Sequence, residues 1–343
     1  MSKTQEGRFF EDFSLGEVID HALPRTLTEG DAALYQSLTG SRFALQSSET
    51  FARRAGYDRM PLDDMLVFNV VVGKSVPDIS LNAVANLGYA ECDFLRQIYI
   101  GETLGARSTV IGLKENSDGE TGTVYVRTEG MDHRNVPILT FVRWVMIPKR
   151  DRKLKCPAPV VPDLAAAVER LTIPRHKLNR HWDAKDSGSP HFWDDYATGE
   201  KIDHRDGFTV EEAEHMMATR LYQNNSRAHF DAHLAMSTRF GKRVVYGGHV
   251  ISIARALSHN GLGNACIISA INGGKHTAPT FAGDTIYAWS EVLLAQALEN
   301  RTDIGALRLR TRAVKNRPAS DFPAESKDIV LDLDYTVLLP RRR

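Results

Sequence analysis

The sequence predicts an α+β fold of two tandem repeats, each an antiparallel sheet wrapped around a central apolar helix. Three observations predict it: an internal repeat, gap-free over its first part and shifted only by two residues gained and three lost thereafter, one long proline-free apolar stretch in each copy, and β-rich segments after each stretch. In the repeat, "FEDFSLGEVIDH" (Phe10 to His21) matches "WDDYATGEKIDH" (Trp193 to His204). Asp12, Gly16, Glu17, Ile19, Asp20 and His21 recur as Asp195, Gly199, Glu200, Ile202, Asp203 and His204, at an offset of 183 residues set by Gly16 and Gly199. The same offset pairs Thr26 with Thr209, Glu29 with Glu212 and Leu38 with Leu221. Gly56 then pairs with Gly241, Gly88 with Gly273, and "GETL" (Gly101 to Leu104) with "GDTI" (Gly283 to Ile286). A repeat of this length fixes the architecture before any single element does.

Within each copy the elements follow one order. Thr28 and Thr209 are candidate helix caps, and "TVEEAEHMMATRL" carries its acids in the first turn, where the helix dipole favours them. A polar loop follows, then the apolar stretch, "MLVFNVVVGKSV" or "HVISIARALSH", long enough for a buried helix. The remainder reads as strands. "IVLDLDYTVLL" places Leu331, Leu333, Tyr335, Val337 and Leu339 on one face, while "TVYVRTEG" and "LTFVRWVMI" are β-rich in composition. "NGGKH", Asn272 to His276, reads as a glycine turn after a strand. "PKRDRKLKCPAPVVPD", with Pro157, Pro159 and Pro162, reads as a linker forming a solvated, charged strap. The expected divisions are an N-terminal repeat over 1–150, a linker over 151–190 and a C-terminal repeat over 191–343.

Composition narrows the function classes. The 343 residues hold 43 Lys plus Arg against 43 Asp plus Glu, so no global field draws the chain to nucleic acid or to a membrane. No apolar run of about 20 residues and no leader-like N-terminus is evident. Cys92, Cys156 and Cys266 are far apart and form no metal-ligand or disulfide pattern, so the sequence predicts no metal site and a reduced, cytoplasmic setting.

The order of helix, degenerate T-G-D-x-N-P-x-H loop, small residues, apolar helix and G-D-T-L resembles the MaoC-like dehydratases, or R-specific enoyl-CoA hydratases, of the hotdog fold. Two fused copies resemble the double-hotdog members. "GRFFEDFSLGE", "TGSRFALQ" and "YQNNSRAHFDAH" are most similar to the mesaconyl-CoA hydratase (β-methylmalyl-CoA dehydratase) branch. The resemblance implies a hydro-lyase acting on an α,β-unsaturated acyl-CoA thioester, with CoA as part of the substrate and no separate cofactor. A hotdog thioesterase and a non-catalytic acyl-CoA-binding protein are the alternatives.

The resemblance also assigns residues. The family's Asp and His, five positions apart, fall on Asn224 and His229, so the histidine matches and the aspartate does not. In the first repeat the same places hold Ser41 and Gln46. Gly248, in "VVYGGHV", falls on the glycine whose N–H would hold the thioester oxygen, and its first-repeat counterpart is Asp63, which would repel an oxyanion. The complete set thus belongs to the second repeat alone, with the first supplying walls for the acyl group. Bland readings stand beside these: Asn224 capping a turn, Gly248 relieving close packing, and Asp231 capping the next helix. Arg220, Arg227, Arg239 and Arg243 are candidates to clamp a second substrate carboxylate. The fused repeats would form within one chain the pair that single-copy members make by dimerising. Further association as a homo-oligomer, with a dimer favoured, is the expectation.

Overall fold

The structure, a computed structural model, describes residues 3–154, 158–178 and 182–342. Cys156 and Pro157 lie outside the described residues. The first half runs β1 (Val18–Thr26), α1 (Glu29–Thr39), α2 (Ala44–Ser47), α3 (Glu49–Arg54), α4 (Asp64–Ser75), β2 (Ala85–Phe94), β3 (Thr103–Glu115), β4 (Thr121–Asp132) and β5 (Pro137–Pro148). A short α5 (Ala184–Ser187) lies between the halves. The second half repeats the order: β6 (Lys201–Asp203), β7 (Phe208–Thr209), α6 (Glu212–Leu221), α7 (Arg227–Phe230), α8 (Ala232–Ala235), α9 (Gly247–Leu257), α10 (His259–Leu262), β8 (Ile267–Lys275), β9 (Thr285–Ala297), β10 (Ile304–Lys315) and β11 (Ile329–Pro340).

The sheet order is β1-β3-β4-β5-β2-β8-β11-β10-β9-β6, with β7 also on β9. It is a palindrome of the repeat. The antiparallel β2–β8 pair joins the two half-sheets into one, with Tyr89 opposite Gly274. Glycine at 274 suits this seam, because a Cβ there would lie 3.0 Å from Leu333 and 3.6 Å from the Tyr89 ring. "NGGK" is therefore the end of β8 and not the turn expected from its glycines; close approach of a neighbouring strand is the other use of strand glycine.

Each half-sheet wraps its apolar helix. All residues of α4 are buried, and so are all of α9 except Gly247, the few polar side chains included. The two helices meet: Asn69 Nδ2 donates to Ser252 Oγ at 3.0 Å and to Gly248 O at 3.3 Å. The repeated histidines are structural pins. His21 Nε2 bonds Ser108 Oγ at 2.7 Å and His204 Nε2 bonds Ser290 Oγ at 2.8 Å, at matching points of the two halves.

Thr28 caps α1 through a capping box with Asp31. Thr209 does not cap a helix. It lies in β7 with its hydroxyl on Thr285, because its repeat partner is Thr26 and the position matching Thr28 is Glu211. Between the halves the chain packs rather than floats: Val160 bridges to Leu113, Leu178 is buried, and Trp182 Nε1 donates to Asn264.

Candidate active site

A cavity of about 250 Å³ opens where the halves meet. It lies just below the roughly 300–1,000 Å³ of most ligand pockets, and so suits a short acyl group. The second half contributes Asn224, His229 and the start of α9; the first contributes Val72, Tyr89 and Arg143.

His229 sits in α7, where Nδ1 lies 2.8 Å from Val244 O. A carbonyl can only accept, so Nδ1 carries the proton and Nε2 is the basic nitrogen. Burial pushes its pKa down to about 4, partly opposed by the Val244 bond. The ring is neutral at physiological pH, the form required of a base. His276, a second cavity residue, is also pushed down to about 4 by burial, and its Nε2 has no protein partner.

Asn224 is buried on the turn after α6. Its Oδ1 accepts Ser226 N–H at 3.1 Å, closing an Asx turn. One lone pair of the oxygen is thereby engaged, which fixes the amide plane and leaves the NH₂ as its donor to a ligand. The first half braces this turn. Lys74 of α4 donates to Gln223 Oε1 at 2.6 Å, and Gln223 holds an unusual positive φ of 54°. Gly73 lets α4 come this close, since a Cβ there would lie 1.8 Å from Tyr222 O.

The apolar helix α9 begins without a side-chain cap: Tyr246 is its N-cap, and its side chain accepts no bond from the first turn, while its carbonyl takes the N–H groups of His249 and Val250. The amides at Gly247 and Gly248 are thus left for a ligand, at the positive end of the helix dipole. Gly247 lines the cavity. Gly248 does not; its α-carbon faces α4, where a Cβ would meet Asn69 Oδ1 at 2.0 Å. The same glycine thus serves helix packing and leaves its N–H at the open helix end.

The matching place in the first half is closed. Asp63 caps α4 itself, accepting Met65 N–H at 2.9 Å, and Ser41 Oγ donates to it at 3.1 Å. Gln46 is buried with Nε2 on Cys266 O at 2.7 Å. Arg255, from α9, stacks its guanidinium 3.6 Å from the Phe43 ring centroid, and its charge acts on the Asp63 carboxylate. One repeat has an open helix end beside a histidine, and the other has a carboxylate plug.

Asp231 caps α8 through Leu234 N–H. Of the four candidate arginines, Arg227 is held by Asn82, Arg243 pairs with Glu212, and Arg220 is exposed outside the cavity lining. Arg239 borders the cavity but is exposed, stacked over Phe240. The cation buried in the cavity wall is Arg143 of β5, which the sequence reading missed. Its signal was a lone arginine inside the otherwise apolar "LTFVRWVMI". No helix among the described residues is long and apolar enough to cross a membrane.

The family model described as mesaconyl-CoA hydratase matches residues 1–156. The β-methylmalyl-CoA dehydratase of Chloroflexus aurantiacus is 56% identical, over 99% of both chains. The mesaconyl-CoA hydratase of Cereibacter sphaeroides is 53% identical, over 99% of this chain and 100% of its own. A crystal structure of a MaoC-domain protein from C. aurantiacus superposes with a TM-score of 0.97 at 56% identity over all of both chains. A Mycobacterium tuberculosis protein described as a double hotdog fold gives 0.77 at 29% identity, covering 98% of this chain and 99% of its own. Aligned along its whole length with relatives more than half identical to it, the chain belongs to the mesaconyl-CoA hydratase family of double-hotdog, MaoC-like proteins.

Proposed function

We propose that this protein is a hydro-lyase that adds water reversibly to mesaconyl-CoA, giving β-methylmalyl-CoA. The observation that carries the reading is a neutral histidine, locked as the Nδ1–H tautomer, in the same small cavity as an uncapped helix N-terminus. His229 Nε2 takes a proton from water as its oxygen bonds to the carbon β to the thioester. The displaced electron pair moves onto the thioester oxygen, where the α9 amides receive it. One such donor is typically worth about 3–4 kcal/mol. The imidazolium then returns the proton to the α carbon, so the elements of water are added and the base is regenerated.

Asn224 donates from Nδ2 to the attacking or leaving oxygen and does not act as a base. Asn224→Ala should lower kcat by roughly 10-fold, the loss of about one hydrogen bond to the reacting group. Asn224→Asp keeps the Ser226 bond but exchanges the donor for an acceptor, so it should raise KM for the dicarboxylic substrate more than for crotonyl-CoA. Equal kinetics for parent and Asn224→Ala would remove Asn224 from the site.

The reaction is redox-neutral, and its proton transfers and oxyanion contacts are assigned to this chain's own groups, so the reading includes no cofactor beyond the CoA of the substrate. It is tested by incubating the protein with mesaconyl-CoA in excess chelator. Enoyl-thioester absorbance should fall without release of free thiol; thiol release would indicate a thioesterase, and no change a binder. A cytoplasmic homodimer completes the proposal. Its support is the unpaired, buried Cys92 and Cys266 and the exposed apolar Phe230, Leu234 and Met236 around α7–α8; sedimentation gives the mass.

A further inference from the structure

We propose that Arg143 is the receptor for the second carboxylate of a dicarboxylic enoyl-CoA, reaching the acyl group from the half of the chain opposite the base. The proposal rests on the hydration reading at His229 and names what selects its substrate.

Three arginines are buried among the described residues: Arg143, Arg255 and Arg312. Arg255 faces Asp63, and Arg312 pairs with Asp332 at 3.4 Å. Arg143 has no carboxylate. It is 2% exposed, with Nη1 donating to Ser80 Oγ at 3.2 Å, Nη2 donating to Ser75 Oγ at 2.8 Å, and Nε without a partner. Serine hydroxyls orient a guanidinium but do not neutralise it. Arginine stays charged even when buried, so the desolvation is uncompensated until an anion arrives. A planar fork with donors to spare is the group that matches a carboxylate.

The surroundings are built for this. Helix α4 ends in a single π-type turn, Val76–Ser80. The i to i+5 pattern of such a turn puts Ser75 and Ser80 on one side, and both hydroxyls reach the same guanidinium. Asn86, also in the cavity wall, has both amide atoms buried without a partner, adding a second donor to the same cavity.

The repeat supplies an internal control. Arg143 pairs across the sheet with Tyr89, and in the second half Gly274, which matches Tyr89, pairs with Leu333. The cation therefore occurs only where the open cavity is. A substrate carrying methyl in place of carboxylate would leave Arg143 buried and unpaired. Sites built to bond a polar group reject the analogue lacking it by as much as about 10⁴- to 10⁵-fold.

The test compares kcat/KM for mesaconyl-CoA and for (E)-2-methylcrotonyl-CoA, which has the same skeleton with methyl replacing the carboxylate. The parent should prefer mesaconyl-CoA by roughly 10³-fold or more, and Arg143→Met should erase that preference. An unchanged ratio, whether both rates fall together or neither does, would overturn the proposal. A measurement on the parent protein needs no variant: succinyl-CoA should bind at least about 100-fold more tightly than butyryl-CoA, and equal affinities would likewise overturn it. The binding comparison also separates the two readings. If hydration fails but the succinyl preference holds, the reaction assignment is wrong and the carboxylate receptor stands.

Discussion

His229→Gln should reduce kcat by 10²- to 10⁴-fold, the usual consequence of losing a positioned general base. Glutamine keeps a polar group near Val244 O but has no nitrogen that can take a proton at neutral pH. Gln46→His, the reciprocal change in the other repeat, should leave kcat near the parent value. A histidine there would meet Cys266 O, the present partner of Gln46 Nε2, in a closed and buried setting rather than an open cavity. Because burial holds His229 at about 4, kcat/KM should stay flat from pH 7.5 to about 5.5, with no bend at the ordinary histidine value of 6.5. Stopped-flow absorbance with mesaconyl-CoA reads all three, and comparable losses at 46 and 229 would refute the one-site arrangement.

Acid should unfold this protein steeply before its carboxylates titrate. Burial holds His204, His229, His259 and His276 down to about 4 and His249 to about 3. In the unfolded chain these five return toward 6.5 and bind protons that the folded state refuses. Their effect is absent above pH 6.5 and grows as pH falls toward 4. Burial raises Asp64 to about 7 and also raises Asp63 and Asp93, which act with the opposite sign because the folded state holds those protons. Five protons gained against at most three lost leaves a net uptake of about two. At 2.303RT per proton, unfolding free energy should fall by about 2–3 kcal/mol per pH unit in the middle of that window, the lower figure allowing for the partial solvation of His259. Urea midpoints at pH 7, 6 and 5 measure the slope; a flat profile would mean that the buried histidines are already charged or solvated.

The architecture was legible because the repeat is written in the sequence twice, and each copy holds one long, proline-free and predominantly apolar stretch followed by β-rich segments. Two local readings failed where identical residues serve different ends. Thr209 resembled a cap but pairs with Thr285 across a sheet edge, and the Asn272–Lys275 glycines resembled a turn but admit Tyr89 at the seam. The motif loop led to Asn224, His229 and the start of α9 because these share one repeat and one short stretch of chain. Arg143 could not be reached that way. It lies in the other half, within a strand whose pattern announces only burial, and its place beside His229 exists only once β2 and β8 have paired. The α9 helix end shows the same limit: whether a glycine N–H faces a ligand depends on Tyr246 failing to cap, which sequence does not announce.

The proposed arrangement is one working site per chain, assembled from both halves, with its symmetry mate closed by Asp63 and Gln46. The number of ligands bound per chain tests it most directly. Calorimetric titration of the parent protein with succinyl-CoA, an unreactive dicarboxylic thioester, should saturate at one molecule per chain, and His229→Gln, which keeps the walls and Arg143, should keep that stoichiometry. Saturation at two per chain would contradict the account.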